Sequence, residues 1–162
     1  MVQILWLVLG GIAFVAALFA GRRRRAMNVA RAALGALYLG AGALVNAIFL
    51  ATGVDYANFA DDAHVAYVHD TWRSVVAPNQ DVFITLLIIF EVLVGALILS
   101  GGRRTQAGLW GAIAMHIGLL PFGWILTIWS VLMLTTLVLL LRAERHPASL
   151  PAPEVDVPAR AG

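Results

Sequence analysis

The chain has 162 residues, of which 61% are hydrophobic and only 12% are charged, and its formal net charge at pH 7 is +2. A soluble domain carries about a quarter charged residues, so this composition, with its apolar residues in long uninterrupted blocks, excludes a single soluble core and indicates a bilayer as solvent. The absence of cysteine excludes disulfides, thiolate metal sites and cysteine catalysis within the sequence.

The first apolar block covers residues 1–20 and contains no charged side chain. It is about long enough to cross the hydrocarbon core of a membrane. A cleaved signal peptide carries its positive charges before the apolar region, whereas here they come after it. We therefore expect a retained span with its N-terminus outside. Four consecutive arginines follow the block: Arg22, Arg23, Arg24 and Arg25.

A second span is predicted over residues 29–52, where frequent glycine and alanine allow membrane helices to approach closely. In residues 55–77, apolar residues recur at helical spacing opposite a polar face. This pattern predicts a short amphipathic helix at the membrane surface, with Tyr67 and Trp72 at the level of the lipid headgroups. Pro78 is expected to end that helix.

A third span is predicted over residues 82–100, which are almost wholly apolar. Two glycines followed by Arg103 and Arg104 end this span. Glycine pairs favour turns, so we expect the chain to reverse its direction here.

The last apolar stretch, residues 107–141, would be more than about 50 Å long as one helix, against a hydrocarbon core of about 30 Å. Pro121 and the glycine beside it break the stretch. We therefore expect a fourth span at 105–120 and a fifth at 122–141, which completes a membrane domain. The proline-containing tail, residues 146–162, is expected to be a disordered end.

The placement of arginine predicts the orientation. With five spans, the arginine clusters fall on one side of the membrane and the acidic stretch at residues 53–80 falls on the other, as the positive-inside rule requires. We expect a multi-pass protein of the cell inner (plasma) membrane, with its N-terminus outside and its C-terminus in the cytoplasm. The arginines that carry this topology, and that could contact anionic membrane lipid, are Arg22, Arg23, Arg24, Arg25, Arg103 and Arg104.

Three polar residues stand out within the predicted spans: the ionisable Glu91 and His116, and the neutral Asn46. Ionisable groups at this depth are costly, by about 2.5–3.5 kcal/mol at a helix centre. At about 1.5 Å of rise per residue, the three residues could share one layer from mid-membrane outward. Two interpretations stay open. The three residues form a functional site that binds a proton or a quinone headgroup, or they make polar packing contacts between helices.

Other chemistry has weaker support. His64 and His69 are accompanied by aspartates, but their spacing fits no standard zinc site and indicates a solvated polar face. Only one histidine lies in a predicted span, which argues against a haem with two histidine ligands. No phosphate-binding loop or nucleotide fingerprint occurs, and nothing indicates binding to nucleic acid.

Two segments carry a family resemblance: RAALGALYLGAGALVNAIFL and FEVLVGALILSGGRRTQAGLWGAIAMHIGL. Over residues 31–141 the chain resembles the DoxX-like membrane proteins in its small-residue first helix, in Glu91 followed by Gly95, and in the Gly-Gly-Arg-Arg turn. It departs from them at Asn46, where the family often has a basic residue, and in its long outer segment. The resemblance implies a four-helix membrane unit, here with residues 1–20 as an extra N-terminal span.

DoxX-like proteins include subunits of quinone-linked oxidoreductase complexes. With the small size of the chain and the absence of a complete catalytic set, the resemblance implies a non-catalytic accessory subunit of a larger, respiratory or redox-linked membrane complex. Such a chain needs no cofactor of its own, although a quinone is possible, and its partners are membrane lipid and other subunits. The first alternative is a self-contained quinone-binding or proton-transferring protein that uses Glu91 and His116. The second alternative is a small transporter.

Overall fold

The computed structural model describes residues 2–145, which form helices joined by turns and loops and contain no β-strand. The prediction of an all-α membrane helix bundle is confirmed. The predicted disordered tail, residues 146–162, lies outside the described residues. The helices are α1 (Val2–Ala20), α2 (Arg24–Ala51), α3 (Ala66–Thr71), α4 (Gln80–Ser100), α5 (Gly102–Leu119) and α6 (Trp124–Arg145).

The chain is a multi-pass membrane protein by the length and hydropathy of its helices. Four helical stretches are long and apolar enough to cross a membrane: Gln3–Ala20, Arg24–Ala51, Ala66–Ser100 and Trp124–Arg145. Helix α5 is outside that set, since its first turns carry Arg103, Arg104 and Gln106. It nevertheless runs antiparallel between α4 and α6 along the bundle. The number of membrane crossings stays a prediction.

The five long helices form a closed ring in which α1 packs against α2 and α6, α2 against α4, and α5 between α4 and α6. Successive long helices along the chain alternate in direction, whereas α1 and α6 run parallel. The loops with Arg22–Arg25 and Arg103–Arg104 and the end of α6 therefore lie together, at what we name the arginine end. Residues 53–65 and α3 lie at the opposite end, named the acidic end. Buried apolar residues from all five helices, most of them alanine and leucine, fill the core.

Glycine permits a close contact between the backbones of α4 and α5. A Cβ atom at Gly108 of α5 would lie 2.9 Å from the backbone nitrogen of Ile98 in α4. No side chain fits in that gap, so the two backbones touch directly. Two other glycines have backbone conformations that L-residues rarely adopt: Gly101 (φ 88°) reverses the chain between α4 and α5, and Gly123 (φ 126°) does so between α5 and α6.

Helix α2 contains a π-helical segment, Leu37–Leu44, in the glycine-rich sequence LYLGAGAL. Wide turns of this kind are rare and occur frequently at functional sites. The carbonyl of Ala41 within the segment accepts a hydrogen bond of 2.8 Å from the indole N–H of Trp6 in α1. The ring of Trp6 also packs on Trp129 of α6, with 5.9 Å between the ring centroids. These contacts attach α1 to the other helices.

A polar cluster at the arginine end joins α2, α4, α5 and α6; we name Arg31, Thr105 and Glu144 the arginine-end cluster. Arg31 donates from Nε to the carbonyl of Ile98 (3.1 Å) and from Nη2 to that of Leu99 (3.0 Å), and Thr105 Oγ1 also donates to Ile98 (2.9 Å). These carbonyls belong to the last turn of α4, which has no intrahelical donors for them. Arg31 Nε lies 3.6 Å from Glu144 Oε1 in a largely buried ion pair.

The outer segment differs from the single amphipathic helix expected over residues 55–77. It forms a 3₁₀ turn at Ala57–Ala60, and after a loop the chain is helical from Ala66 through a π turn, Trp72–Val76, and a 3₁₀ turn, Ala77–Asn79, into α4. The chain therefore stays helical through Pro78, which does not end the helix as predicted. Proline is tolerated there because it lies in the first positions of the 3₁₀ turn, where its missing N–H is not needed.

The outer segment folds back onto the turn between α5 and α6. Phe59, Trp72 and Phe122 form an aromatic cluster with ring centroids 4.9–5.5 Å apart. The N–H of His64 donates to the carbonyl of Pro121 (2.9 Å). The segment thus covers the acidic end of the bundle with its own packing contacts.

Candidate functional site

Glu91 lies in the middle of α4 and is only 3% exposed. It forms no ion pair with the residues that the structure describes. Gly42 in the π-helical segment of α2 makes room for it: a Cβ atom at that position would lie 2.5 Å from Glu91 Oε1. The carboxyl group is therefore held against the backbone of α2.

Two residues connect Glu91 to the acidic end. Asn46 Nδ2 donates a hydrogen bond of 3.0 Å to Glu91 Oε2, and its Oδ1 accepts one of 3.2 Å from the hydroxyl of Tyr56. Two backbone hydrogen bonds hold Tyr56 in place. Its N–H donates to Gln80 Oε1 (3.1 Å), and its carbonyl accepts from the indole N–H of Trp72 (2.8 Å). A chain of direct contacts thus runs from mid-bundle to the outer segment.

Tyr56 lies outside the membrane-spanning helices, and its protonation state determines this chain of contacts. Burial, together with the nearby carboxyl of Glu91, raises the pKa of the Tyr56 phenol above its ordinary value of 10.0. The phenol therefore stays neutral at physiological pH. It remains a donor to Asn46, whose amide then presents its own N–H to Glu91.

His116 of α5 and Tyr38 of α2 form the second half of the site. His116 is 3% exposed, and its Nδ1 lies 2.9 Å from the carbonyl of Ala112 and 3.3 Å from the hydroxyl of Tyr38. A carbonyl oxygen can only accept, so Nδ1 carries the proton and Nε2 is left as an acceptor. Within the described residues, Nε2 has no hydrogen-bond partner.

Glu91, Tyr38 and His116 line one small, partly open cavity of about 30 Å³. A cavity of this size holds one water molecule. The other lining residues are apolar or aromatic, among them Trp6, Met115 and Trp129. Residues that carry a carboxyl group, a phenol and an imidazole therefore line a single water-sized space; we name these three residues with Asn46 and Tyr56 the acid–base cluster.

The structure brings the three predicted intramembrane residues to one place. Asn46 and Glu91 are hydrogen-bonded, and His116 shares the cavity with Glu91 although no hydrogen bond joins the two side chains. The sequence-based interpretation missed Tyr38 and Tyr56. Tyr38 stands in the glycine-rich segment interpreted as packing, and the one available signal was a lone tyrosine beside glycines in a membrane helix.

The remaining candidate residues lie elsewhere. His64 packs on Trp124 (4.6 Å between centroids), and His69 Nδ1 pairs with Asp70 (3.0 Å). No group of three or more His, Cys, Asp or Glu among residues 2–145 could hold a metal ion. Tyr67 is 77% exposed, while Trp72 packs in the aromatic cluster. The headgroup role of Tyr67 and the lipid contacts of the arginines stay predictions.

Comparisons with protein families, with curated proteins and with solved structures find no match for this chain. The resemblance to the DoxX-like proteins stays a prediction.

Proposed function

We propose that the chain is a proton-transferring membrane protein whose bundle holds one protonatable site, with Glu91 as the proton carrier and His116 Nε2 as its exchange partner. The observation that carries this proposal is the convergence of Glu91, Tyr38 and His116 on one water-sized cavity. A water molecule there can accept the carboxyl proton of Glu91 and pass one of its own to His116 Nε2. This exchange leaves a carboxylate and an imidazolium.

The size of the cavity favours a proton over other ligands. Sites for small organic molecules occupy about 300–1,000 Å³, so neither a quinone headgroup nor a transported solute fits a cavity of about 30 Å³ in this conformation. A metal ion needs several ligands, whereas a proton needs only one acceptor. The quinone-binding and transporter alternatives both require the helices to separate, and the proton-transferring alternative does not.

Asn46 and Tyr56 supply a barrier on the acidic side. An amide group holds its protons firmly, so the Tyr56–Asn46 pair positions the Glu91 carboxyl and does not conduct protons through its own bonds. Exchange with the acidic side requires this pair to separate, which opens Glu91 to water. We therefore propose that Tyr56 and Asn46 control access to the site from the acidic end.

The test is proton flux into vesicles that contain the purified protein, followed with an internal pH-sensitive dye under an imposed potential. Glu91→Gln keeps the size of the side chain and an oxygen that can accept from Asn46, but it cannot take up a proton. We expect the flux to fall to the level of empty vesicles. The matched control is Glu144→Gln, the other largely buried carboxyl, which should retain the flux. Equal flux in wild type and Glu91→Gln would leave Glu91 as a packing contact.

We also propose that the protein lies in the cell inner (plasma) membrane with the arginine end in the cytoplasm, as the clustering of arginine at one end supports. Because the chain has no cysteine, a single introduced cysteine is a unique label. Gly21→Cys marks the arginine end and Asn58→Cys the acidic end, both at exposed positions. A membrane-impermeant thiol reagent added to whole cells should label Asn58→Cys only; labelling of Gly21→Cys alone would invert the orientation.

The expectation of an accessory subunit stays a prediction beside this proposal, because a proton site can serve a chain that acts alone or one that acts inside a complex. Purification in mild detergent with identification of co-purifying proteins distinguishes the two. Stoichiometric partners would make the proton site part of a larger machine, whereas proton flux by the chain alone would make it self-sufficient.

A further inference from the structure

An apolar groove of about 490 Å³ runs between α1 and α2 on the outside of the bundle. Its α1 wall contains Gly11, Val15 and Phe19, and its α2 wall contains Ala26 and Val29. The groove is shallow and largely open to the outside, so it offers a contact surface to a flexible chain and does not enclose a ligand. Because both helices are membrane-spanning by length and hydropathy, the molecule available to fill this groove is a hydrocarbon chain.

One end of the groove lies beside positively charged side chains. The groove extends from Gly11 near mid-helix to Phe19, about 12 Å of helix at about 1.5 Å per residue, and there it meets the arginine end. Arg22 is the second residue after the end of α1, and Arg25 lies one turn before Val29 on the same face of α2. Both arginines are exposed, and neither forms an ion pair with the described residues.

From this arrangement we propose that the groove binds one acyl chain of an anionic phospholipid, with the headgroup phosphate against Arg22 and Arg25. The groove supplies the contact for the hydrocarbon chain, and the two guanidinium groups supply bidentate donors that match a phosphate. Charge selects the lipid class, since a zwitterionic headgroup offers no net attraction. Each arginine beside an anionic surface contributes about fivefold in affinity, or about 25-fold for the pair.

A second copy of the chain fits this groove less well. Two copies in one membrane have the same orientation, so docking through this groove would bring a second set of four arginines to the same place. Like charges at short distance repel each other. The charge that attracts an anionic lipid thus opposes self-association at the same surface.

The groove offers a matched pair of variants that fill space without disturbing the core. A Cβ atom at Gly11 meets nothing within 4 Å, so Gly11→Leu projects into the groove. Gly118 on α5 is equally open and lies away from the groove, so Gly118→Leu is its control. A second pair tests the charge: Arg22→Gln with Arg25→Gln, against Arg103→Gln with Arg104→Gln, which are exposed at the same end.

The experiment reconstitutes each variant in phosphatidylcholine nanodiscs with a minor fraction of phosphatidylglycerol and counts the lipids retained after exchange into mild detergent, by native mass spectrometry. We expect wild type and both controls to retain one phosphatidylglycerol. Gly11→Leu should lose it, and the Arg22/Arg25 double variant should bind it about 25-fold more weakly.

Two results would overturn the proposal. Retention of phosphatidylglycerol by Gly11→Leu at the wild-type level would put the lipid elsewhere on the bundle. A wild-type dimer that Gly11→Leu converts to a monomer, without change in retained lipid, would make the groove an interface between copies. Melting temperatures of the four variants, measured beside the lipid counts, separate loss of binding from loss of fold.

Discussion

The two buried polar clusters of this bundle are built on the same pair of helices, yet they are organised in opposite ways. At the arginine end, Arg31 of α2 satisfies two carbonyls at the end of α4 and faces the carboxyl of Glu144. In the acid–base cluster, Glu91 of α4 faces a glycine of α2, receives one amide donor and has no cation beside it within the described residues. One cluster compensates its charges and the other contains a cavity.

The difference separates a structural role from a functional one. An ion pair that also completes the hydrogen bonds of a helix end stabilises one arrangement of the helices. An acid and a base that share a water-sized space do little to hold the helices together and are free to exchange a proton. Changes at the arginine end should therefore alter stability, and changes in the acid–base cluster should alter proton flux by more than they alter stability.

The largest expected effect comes from Arg31→Met. This change leaves Glu144 buried, at 7% exposure, without its cation, and it removes the side-chain donor of the Leu99 carbonyl, while the Ile98 carbonyl keeps its bond from Thr105 Oγ1. Removing one partner of a buried ion pair costs about 3–5 kcal/mol. The free energy of unfolding, from denaturant titration in mild detergent, should fall by that amount.

The double variant Arg31→Met with Glu144→Met is the control for this prediction. Replacement of both charges by apolar side chains is often neutral, so the double variant should regain most of the lost stability. A loss of less than about 1 kcal/mol in Arg31→Met alone is the value expected of a solvent-exposed ion pair. That result would contradict the structural role that we assign to the arginine-end cluster.

A smaller effect is expected from Gly42→Ala in the π-helical segment. The new methyl group would lie 2.5 Å from Glu91 Oε1, so the carboxyl has to move and its hydrogen bond to Asn46 is lost. Overpacking of this kind costs about 1–3 kcal/mol. Proton flux should fall together with stability, because the carboxyl leaves its place at the cavity.

Gly40→Ala is the matched control, because it lies in the same π-helical segment and a Cβ atom there meets nothing within 4 Å. We expect it to keep the flux and to gain up to about 1 kcal/mol from reduced backbone freedom in the unfolded chain. Equal losses in the two variants would mean that the π segment, and not the contact with Glu91, is sensitive to substitution.

The features that sequence predicted correctly depend on the membrane as a solvent. Long apolar blocks have to become helices because no other open structure satisfies backbone polar groups in lipid. An ionisable residue in such a block stands out because its burial is costly, so sequence could single out Glu91 and His116, which are buried in the bundle; their role in a site stays a prediction. The break at Pro121 and Gly123 was also readable, since the structure has α5 ending at Leu119 and α6 beginning at Trp124.

The features that sequence did not predict depend on tertiary contacts. Tyr38 reaches His116 from the π-helical segment, whose wide turns no local pattern announces. Tyr56 reaches Asn46 because the outer segment folds back over the acidic end, and that path is fixed by the aromatic cluster. A tyrosine near the end of a membrane helix is ordinary at the interface, so composition offered no reason to single it out.

The smallest expected effect comes from Tyr56→Phe. It removes the hydroxyl that donates to Asn46 and keeps the aromatic ring, so the expected loss of stability is that of one hydrogen bond, about 1 kcal/mol. Tyr67→Phe is the control, because that tyrosine is 77% exposed and its loss should change stability by less than about 0.5 kcal/mol. Proton flux should rise in Tyr56→Phe, because Asn46 is less firmly held over Glu91.

The stability difference between wild type and Tyr56→Phe should also depend on pH in a defined direction. The pKa of Tyr56 in the folded chain is raised above 10.0, so the neutral phenol stabilises the fold fully below pH 10. Above pH 10 the unfolded chain loses this proton first, and the advantage of wild type over Tyr56→Phe should shrink as pH rises toward the folded pKa. A difference that grows above pH 10 would mean that the phenolate is the form the fold prefers, and Tyr56 could not then be the neutral donor that holds Asn46 against Glu91.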